Sequence, residues 1–161
     1  VRAWSESLYA DLDESPDADF GLVGEVQSVN PHVLLKLQQD QFIPVIAPIG
    51  ADREGTTYNI NADLAAGAIA AALKAVKLLM LTDVQGIRDA KGRHVSTLSR
   101  KDMQRMFKKG TIRDGMLPKV RACLTALDGG VRKAHVIDGR MPHAILLEIF
   151  TDKGIGTEIV S

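Results

Sequence analysis

Four polar stretches of this 161-residue chain contain the residue types that ligand sites use. They read NINAD at 59–63, TDVQGI at 82–87, GTIRDGMLPK at 110–119 and DKGIGTEI at 152–159. Carboxylates, amides and lysine supply charge and hydrogen bonds, and glycine lets the main chain approach a ligand closely. Taken singly, each stretch also has a structural explanation, because such residues cap helices, form turns or lie solvated on a helix.

The sequence motifs of several common chemistries are missing. Neither the phosphate-binding pattern GxxxxGKS/T nor the dinucleotide pattern GxGxxG occurs, and the sequence has no HExxH or GxSxG. The four histidines have no metal-ligand spacing, so no metal site is predicted. The single cysteine, Cys123, cannot form an internal disulfide and is predicted to be a small packed hydrophobic residue.

The charge balance argues against nucleic acid and membranes as partners. Lys and Arg number 20 and Asp and Glu number 20, so the chain has no overall field that attracts either. Residues 100–121 are locally basic, a density that suits phosphate or, alternatively, an exposed helix face. No apolar run reaches the roughly 18 residues of a spanning helix. With one cysteine and no signal- or transit-peptide character in the first residues, the expected compartment is the cytoplasm.

Short apolar runs alternate with amphipathic helical stretches from Gly21 onward, which is typical of βαβ units. Helices are predicted over 31–39, 59–76 with Asn59 or Asn61 as cap, 99–110, 118–129 and 142–150. Strands are predicted over 26–29, 42–48, 77–81, 134–137 and 156–160, with a hairpin at 52–57. The run FIPVIAP at 42–48 is nearly all apolar, which predicts a central strand covered on both faces.

These elements predict an α/β fold of three αβα layers with a largely parallel sheet. Ligands of such sheets bind beyond the carboxyl ends of the strands. The pairs at 82–83 and 138–139 follow predicted strands, and the loop at 59–63 begins a predicted helix. The sequence therefore predicts that these three segments share one site.

In this order, and together with GLVGEV at 21–26, the four stretches closely resemble the ATP-binding half of the acetylglutamate kinase family, in the amino-acid kinase superfamily. The similarity runs from Gly21 to the C-terminus, and NINAD is its most specific string. It implies the carbamate kinase-like fold. It also implies transfer of the γ-phosphoryl group of ATP to the side-chain carboxylate of N-acetyl-L-glutamate, the second step of arginine biosynthesis. Mg²⁺ is expected to arrive with ATP, held mainly by water and nucleotide oxygens.

The resemblance implies roles for single residues. Lys119 is similar to the lysine that stabilises the transferring phosphoryl group, Asp63 to the aspartate that orients the catalytic lysines, and Asn59 to the asparagine that binds acetylglutamate. Phosphoryl transfer asks mainly for positioning and positive charge, which a lysine at a helix N-terminus supplies. The positions similar to the ATP pocket are Thr82, Asp83, Val84, Gln85, Gly86, Ile87, Arg88, Thr111, Ile112, Arg113, Met116 and Lys119.

The same resemblance divides the chain into an acidic leader at 1–20 and a nucleotide-binding lobe at 21–161. The N-terminal lobe of the family brings a phosphate-binding lysine, glycine-rich loops and an arginine for the substrate. The segment before Gly21 has no glycine and only Arg2 as a cation, so it does not supply them. The chain alone is therefore expected to be inactive, and the complete enzyme is expected to be a homo-oligomer.

The stretch 134–159 resembles the arginine-inhibited, ring-forming branch of the family. In that branch a His, a Glu and a Gly at the positions of His135, Glu148 and Gly154 surround bound arginine. A carboxylate such as Glu148 suits this ligand because it accepts two hydrogen bonds from a guanidinium group. Alternatively, His135 and Glu148 are an ordinary strand residue and an ordinary helix residue.

Two other functions remain open from the sequence. The first is a non-catalytic domain that holds ATP or arginine and regulates another protein. The second is another kinase of the superfamily, which the NINAD string disfavours.

Overall fold

The computed structural model describes residues 2–3, 21–112, 115–151 and 154–161. The strands are β1 Arg2–Ala3, β2 Val23–Glu25, β3 Ile49–Ala51, β4 Thr57–Ile60, β5 Lys77–Thr82, β6 Thr97–Ser99, β7 Lys133–Asp138 and β8 Thr157–Val160. The helices are α1 His32–Gln39, α2 Ala62–Leu73, α3 Arg100–Lys108, α4 Met116–Asp128 and α5 Ala144–Phe150. Within these ranges no helix is long and apolar enough to cross a membrane.

The described strands form two four-stranded sheets. The first has the order β1-β2-β4-β3 and the second the order β5-β7-β8-β6. Parallel pairs join β2 to β4, β5 to β7 and β6 to β8, and the other three neighbouring pairs are antiparallel. Since successive side chains of a strand point to opposite faces, each strand of the second sheet contributes to two layers.

The hydrophobic core lies on one face of the second sheet. Ala134 and Val136 of β7 pack there with Leu78 and Met80 of β5 and with the buried side of α4. The residue between them in β7, His135, points to the opposite face and contacts Glu148 of α5. Helices therefore cover both faces of this sheet, which makes three layers.

The predicted α/β class is confirmed, and all five predicted helices form, with the second capped by Asn61. The hairpin at 52–57 joins β3 to β4. Two details differ. The strands form two mixed sheets, because β7 pairs antiparallel with β8 and β3 with β4. The short strand predicted over 26–29 lies earlier, at Val23–Glu25, where it pairs with β4.

The prediction of a central strand over 42–48 is wrong. This segment is not a strand, and most of its side chains are exposed, with Ile43 at 89% and Val45 at 96% of full accessibility. A strand buried on both faces needs neighbouring strands and covering layers. No described part of the chain supplies them for this segment. Its apolar composition instead leaves an exposed hydrophobic surface.

Candidate active site

Two helices, α2 and α4, pack so closely that their first turns meet. A Cβ atom on Gly67 of α2 would lie 2.6 Å from the carbonyl oxygen of Ala122 in α4. One on Gly129, just after α4, would lie 2.3 Å from the Cβ of Ala71. Small residues at these positions thus allow backbone contact between the helices. Because both contacts fix α2 against α4, they also fix the side chains at the helix N-termini.

The N-terminus of α2 is built by the NINAD sequence. The Asn61 side chain accepts hydrogen bonds from the N–H groups of Asp63, at 3.0 Å, and Leu64, at 3.2 Å. This is the N-cap geometry, and it places the Asp63 carboxylate in the first turn. The cap role that the sequence left open between Asn59 and Asn61 therefore belongs to Asn61.

Lys119, in the first turn of α4, forms an ion pair with Asp63. Its Nζ donates to both carboxylate oxygens, at 3.0 Å to Oδ1 and 2.8 Å to Oδ2. The two side chains retain 18% and 22% of their accessibility, so the pair is half-buried and still open to a ligand. The N-terminus of α4 has no side-chain cap, and its first N–H groups add positive potential beside the ammonium.

Cys123 lies one helical turn after Lys119 and is fully buried. Burial, and then the nearby charge of Asp63, raises the pKa of the Cys123 thiol to about 12, an effect that Lys119 partly opposes. A thiol with that pKa stays protonated at neutral pH and is a poor nucleophile. The prediction that Cys123 is a packed hydrophobic residue is confirmed.

Asn59 lies in the middle of the first sheet, not in the α2 cap. Its backbone lies between Val23 of β2 and Ile49 of β3, and its N–H donates to the carbonyl of Leu22 at 2.8 Å. The side chain is exposed and makes no hydrogen bond to a described residue. It is therefore available to a ligand on the side where the chain leads into α2.

The loop after β5 has an exposed part and an anchored part. Thr82, Asp83, Val84 and Gln85 lie at or near the surface, and the Thr82 hydroxyl contacts Asp83 Oδ1 at 3.3 Å. Gly86 and Ile87 are buried, and the N–H of Ile87 donates to the hydroxyl oxygen of Thr157 at 2.8 Å. Gly86 has a φ of +140° and no room for a Cβ, so this position requires glycine.

The other part of the proposed ATP pocket leads into α4. Thr111 and Met116 are half-buried, whereas Ile112 belongs to the hydrophobic core. Arg113 lies outside the described residues. Arg88 is exposed and donates from Nη1 to the carbonyl of Gly92 at 3.0 Å. Ile87 and Ile112 are therefore core residues beneath the two loops, whereas residues 82–85 and Arg88 lie at or near the surface.

A second cluster lies on the opposite face of the sheet. His135 Nδ1 contacts Glu148 Oε1, and both side chains are only 5% exposed. Glu148 Oε2 accepts a hydrogen bond from the N–H of Ile155 at 2.9 Å. Gly154 completes the group, since a Cβ there would lie 3.3 Å from Glu148 Oε2. The three residues that the family resemblance associates with arginine are thus adjacent.

Metal-ligating side chains are not grouped in the described residues: no three His, Cys, Asp or Glu side chains there lie together as a cation site.

An α/β fold with a lysine–carboxylate pair at the starts of two packed helices is suited to binding an anionic ligand at one edge. The sequence profile of the amino acid kinase family matches residues 5–138, and the chain belongs to this family. Among curated proteins it is similar to the acetylglutamate kinase of Sulfurihydrogenibium sp. (strain YO3AOP1), at 58% identity over 141 residues. It is 52% identical to the acetylglutamate kinase of Syntrophus aciditrophicus over 165 aligned positions.

The chain spans about half the length of these relatives. The alignments cover 88% of the chain and 47% of the Sulfurihydrogenibium protein, and 99% of the chain and 55% of the Syntrophus protein. The resemblance to acetylglutamate kinases is therefore confirmed for the part of those proteins that this chain matches.

Solved structures with the same fold include an N-acetylglutamate synthase from Neisseria gonorrhoeae, complexed with coenzyme A and L-arginine. It superposes with a TM-score of 0.81 at 27% identity, over 92% of this chain and 35% of that chain. A carbamate kinase from Giardia lamblia bound to AMP-PNP has a TM-score of 0.68 at 20% identity, over 99% of this chain and 57% of that one. The predicted carbamate kinase-like fold is confirmed.

Proposed function

We propose that residues 21–161 are the nucleotide-binding half of an enzyme that phosphorylates the side-chain carboxylate of N-acetyl-L-glutamate with ATP, in the biosynthesis of arginine. The observation that carries the proposal is the Asp63–Lys119 pair at the starts of α2 and α4. The 58% identity to a protein named acetylglutamate kinase also supports the proposal. Biosynthesis of this kind is expected in the cytoplasm.

In the proposed reaction an oxygen of the substrate carboxylate attacks the γ-phosphorus of ATP. The bond from that phosphorus to the β–γ bridging oxygen breaks, and ADP leaves with the electron pair. Lys119 places a positive charge on the oxygens of the transferring group, where negative charge is spread in the transition state. Asp63 holds the flexible ammonium in position through two hydrogen bonds.

The nucleotide is proposed to lie across the loop after β5 and the loop before α4. The exposed residues at 82–85 and Arg88 line one side, and Thr111, Met116 and the uncapped start of α4 line the other. Gly86, Ile87 and Ile112 shape the pocket from beneath because they are buried. Arg113 is included through the family resemblance alone. Mg²⁺ is proposed to bind with the nucleotide, where it screens the phosphate charge.

Asn59 is proposed to bind acetylglutamate. Its exposed side-chain amide has both donors and an acceptor available in the described structure, and it lies two residues before the α2 cap. The other substrate contacts are proposed to come from the N-terminal lobe, because the relatives are about twice as long as this chain. The complete enzyme is proposed to be a homo-oligomer.

A specific observation favours arginine as a further ligand. In the described structure the Nε2 atom of His135 is buried and has no hydrogen-bond partner, beside the buried carboxylate of Glu148. A buried polar atom without a partner is costly, and a polar ligand removes that cost. When His135 carries its proton on Nδ1, towards Glu148, its Nε2 is an acceptor, so one guanidinium can donate to Nε2 and to the Glu148 carboxylate beside Gly154. We propose that this cluster is an allosteric site at which arginine inhibits the enzyme. If the chain is instead a non-catalytic domain, arginine binding is its main function.

The direct test of the function has two parts. Calorimetric titration of this chain with ATP and Mg²⁺ is expected to give saturable binding. The chain joined to an N-terminal lobe of a similar acetylglutamate kinase is then expected to release ADP only when acetylglutamate is present. ATP binding without any turnover supports the regulatory alternative. Turnover with carbamate or aspartate in place of acetylglutamate supports another kinase of the superfamily.

A further inference from the structure

An ion pair at the carboxyl end of β7 has no role in the reaction proposed above. Asp138 Oδ1 accepts hydrogen bonds from the Arg140 N–H at 3.0 Å and from its Nε at 2.9 Å, and Oδ2 accepts from Nη2 at 2.8 Å. The Arg140 guanidinium thereby lowers the pKa of the Asp138 carboxyl to about 2. A two-point pair of this kind fixes the direction of the guanidinium plane.

This pair lies beside the loop that carries Asp83. Strands β5 and β7 are parallel, with Thr82 opposite Asp138, so both chains leave the sheet at the same edge. The N–H of Gly139 donates to the carbonyl of Thr82 at 2.8 Å, which ties the two loops together. A Cβ on Gly139 would lie 3.1 Å from the Cβ of Leu81, so the contact is tight.

The two members of the pair differ in exposure. The Asp138 side chain is only 11% exposed, whereas that of Arg140 is 66% exposed. The nearby Asp83 carboxylate, after Asp138 itself, helps to raise the pKa of Arg140. Arg140 is therefore the member of the pair that solvent and a bound ligand can reach.

We infer that Asp138 and Arg140 are positioning residues for the nucleotide, holding the loop at 82–83 so that the Asp83 carboxylate accepts hydrogen bonds from the ribose hydroxyls. The inference rests on the proposed function, which places ATP at this loop. The register of β5 against β7 and the Gly139–Thr82 hydrogen bond place the loop of Arg140 beside the loop of Asp83. A guanidinium on that side offsets the repulsion between the Asp83 carboxylate and the phosphates of the nucleotide.

The test is a double-mutant cycle on the full chain, measured as ATP and Mg²⁺ affinity by calorimetry. Arg140→Gln is expected to weaken ATP binding about fivefold, and Asp83→Asn about tenfold. In the Asp83→Asn background, Arg140→Gln is expected to have little further effect, because its action passes through Asp83. Wild type is expected to prefer ATP over 3′-deoxy-ATP, and Arg140→Gln is expected to reduce that preference.

Controls separate this inference from stability and from the proposed function. Lys133 lies at the opposite end of β7, where it forms another surface ion pair with Glu158 of β8. Lys133→Gln removes this cation and should leave ATP affinity unchanged. Melting temperatures identify variants that fail to fold. Asp138→Asn removes the same ion pair through its other member, so it should also weaken ATP binding. If wild type itself fails to bind ATP, the proposed function is wrong.

If wild type binds ATP but Arg140→Gln binds it equally well, the positioning role is wrong. It is equally wrong if Arg140→Gln weakens binding to the same extent with and without Asp83, because Arg140 then acts on the nucleotide directly. An unchanged preference for ATP over 3′-deoxy-ATP in Arg140→Gln likewise contradicts it.

Discussion

Gly67 lies directly against the main chain of Ala122, so α2 and α4 touch backbone to backbone at this point. The contact lies one turn beyond both members of the Asp63–Lys119 pair. Its closeness determines how far apart the two helix starts are. The geometry of the proposed catalytic pair therefore depends on a residue that has no functional group.

Replacing Gly67 by alanine is expected to destabilise the chain. The added methyl group would lie 2.6 Å from a carbonyl oxygen, and overpacking of this kind costs about 1 to 3 kcal/mol. The better helix propensity of alanine returns up to about 1 kcal/mol. We expect a net loss near 1 kcal/mol, seen as a melting temperature lower by about 2 to 4 °C.

Gly115→Ala is the matched control for this prediction. Its backbone is right-handed helical, and a Cβ there would meet no atom of the described residues within 4 Å, so the same added methyl group should be harmless. A melting temperature that rises in Gly67→Ala would show that the helices separate without cost.

Acid is expected to weaken the fold partly through Asp138. Its pKa is lowered from 3.8 to about 2 by Arg140, so the ionised form is favoured by folding. The resulting stability is present above about pH 4 and is lost as the pH falls towards about 2. In Asp138→Asn the unfolding free energy, from urea titrations at each pH, should change less across this window than in wild type.

Asp40→Asn, at an exposed aspartate that ends α1, is the control for the acid measurement. A wild-type pH curve with the same slope as that of Asp138→Asn would mean that the Arg140 pair is not maintained in solution.

The exposed segment at 42–48 is expected to tolerate charge. Val45 is 96% exposed, so Val45→Lys should change the unfolding free energy by less than about 0.5 kcal/mol. It should also reduce self-association in sedimentation experiments, because it interrupts an apolar surface. The same substitution at the fully buried Val136 is the control, and it should prevent folding. Strong destabilisation by Val45→Lys would indicate that the segment is covered in solution.

Local structure was largely predictable from the sequence, and long-range contacts were not. A cap depends only on the next three residues, so the sequence narrows the α2 cap to Asn59 or Asn61, and the structure shows that it is Asn61. The pairing of Asp63 with Lys119 joins residues 56 positions apart, and no local rule predicts it. A shared role for them is implied by the resemblance of both strings to one family.

The strand predicted over 42–48 failed for a different physical reason. An apolar run indicates that burial is favourable, but it does not say which part of the chain or which partner covers it. Strand β6, by contrast, was missed because three residues, Thr97–Ser99, show too little periodicity to be recognised. Its pairing with β8 is a tertiary contact.

Arginine binding is expected to depend on Glu148. The carboxylate is buried against His135 and Gly154, so Glu148→Gln removes the negative charge that pairs with His135 in this cluster. Arginine affinity, measured by calorimetry, should fall at least tenfold, about 1.4 kcal/mol. Glu54→Gln, in the exposed β3–β4 hairpin, should leave it unchanged. Equal arginine affinity in wild type and Glu148→Gln would exclude this cluster as the site.

The most direct test of the account is the turnover number of Lys119→Ala, in the chain joined to an N-terminal lobe. If Lys119 stabilises the transferring phosphoryl group, kcat for acetylglutamate-dependent ADP release should fall by about 10² to 10³, with a much smaller rise in the KM for ATP. Lys108→Ala, an exposed lysine of α3, should behave as wild type. An unchanged kcat in Lys119→Ala would contradict the central claim, because the Asp63–Lys119 pair would then not belong to the active site.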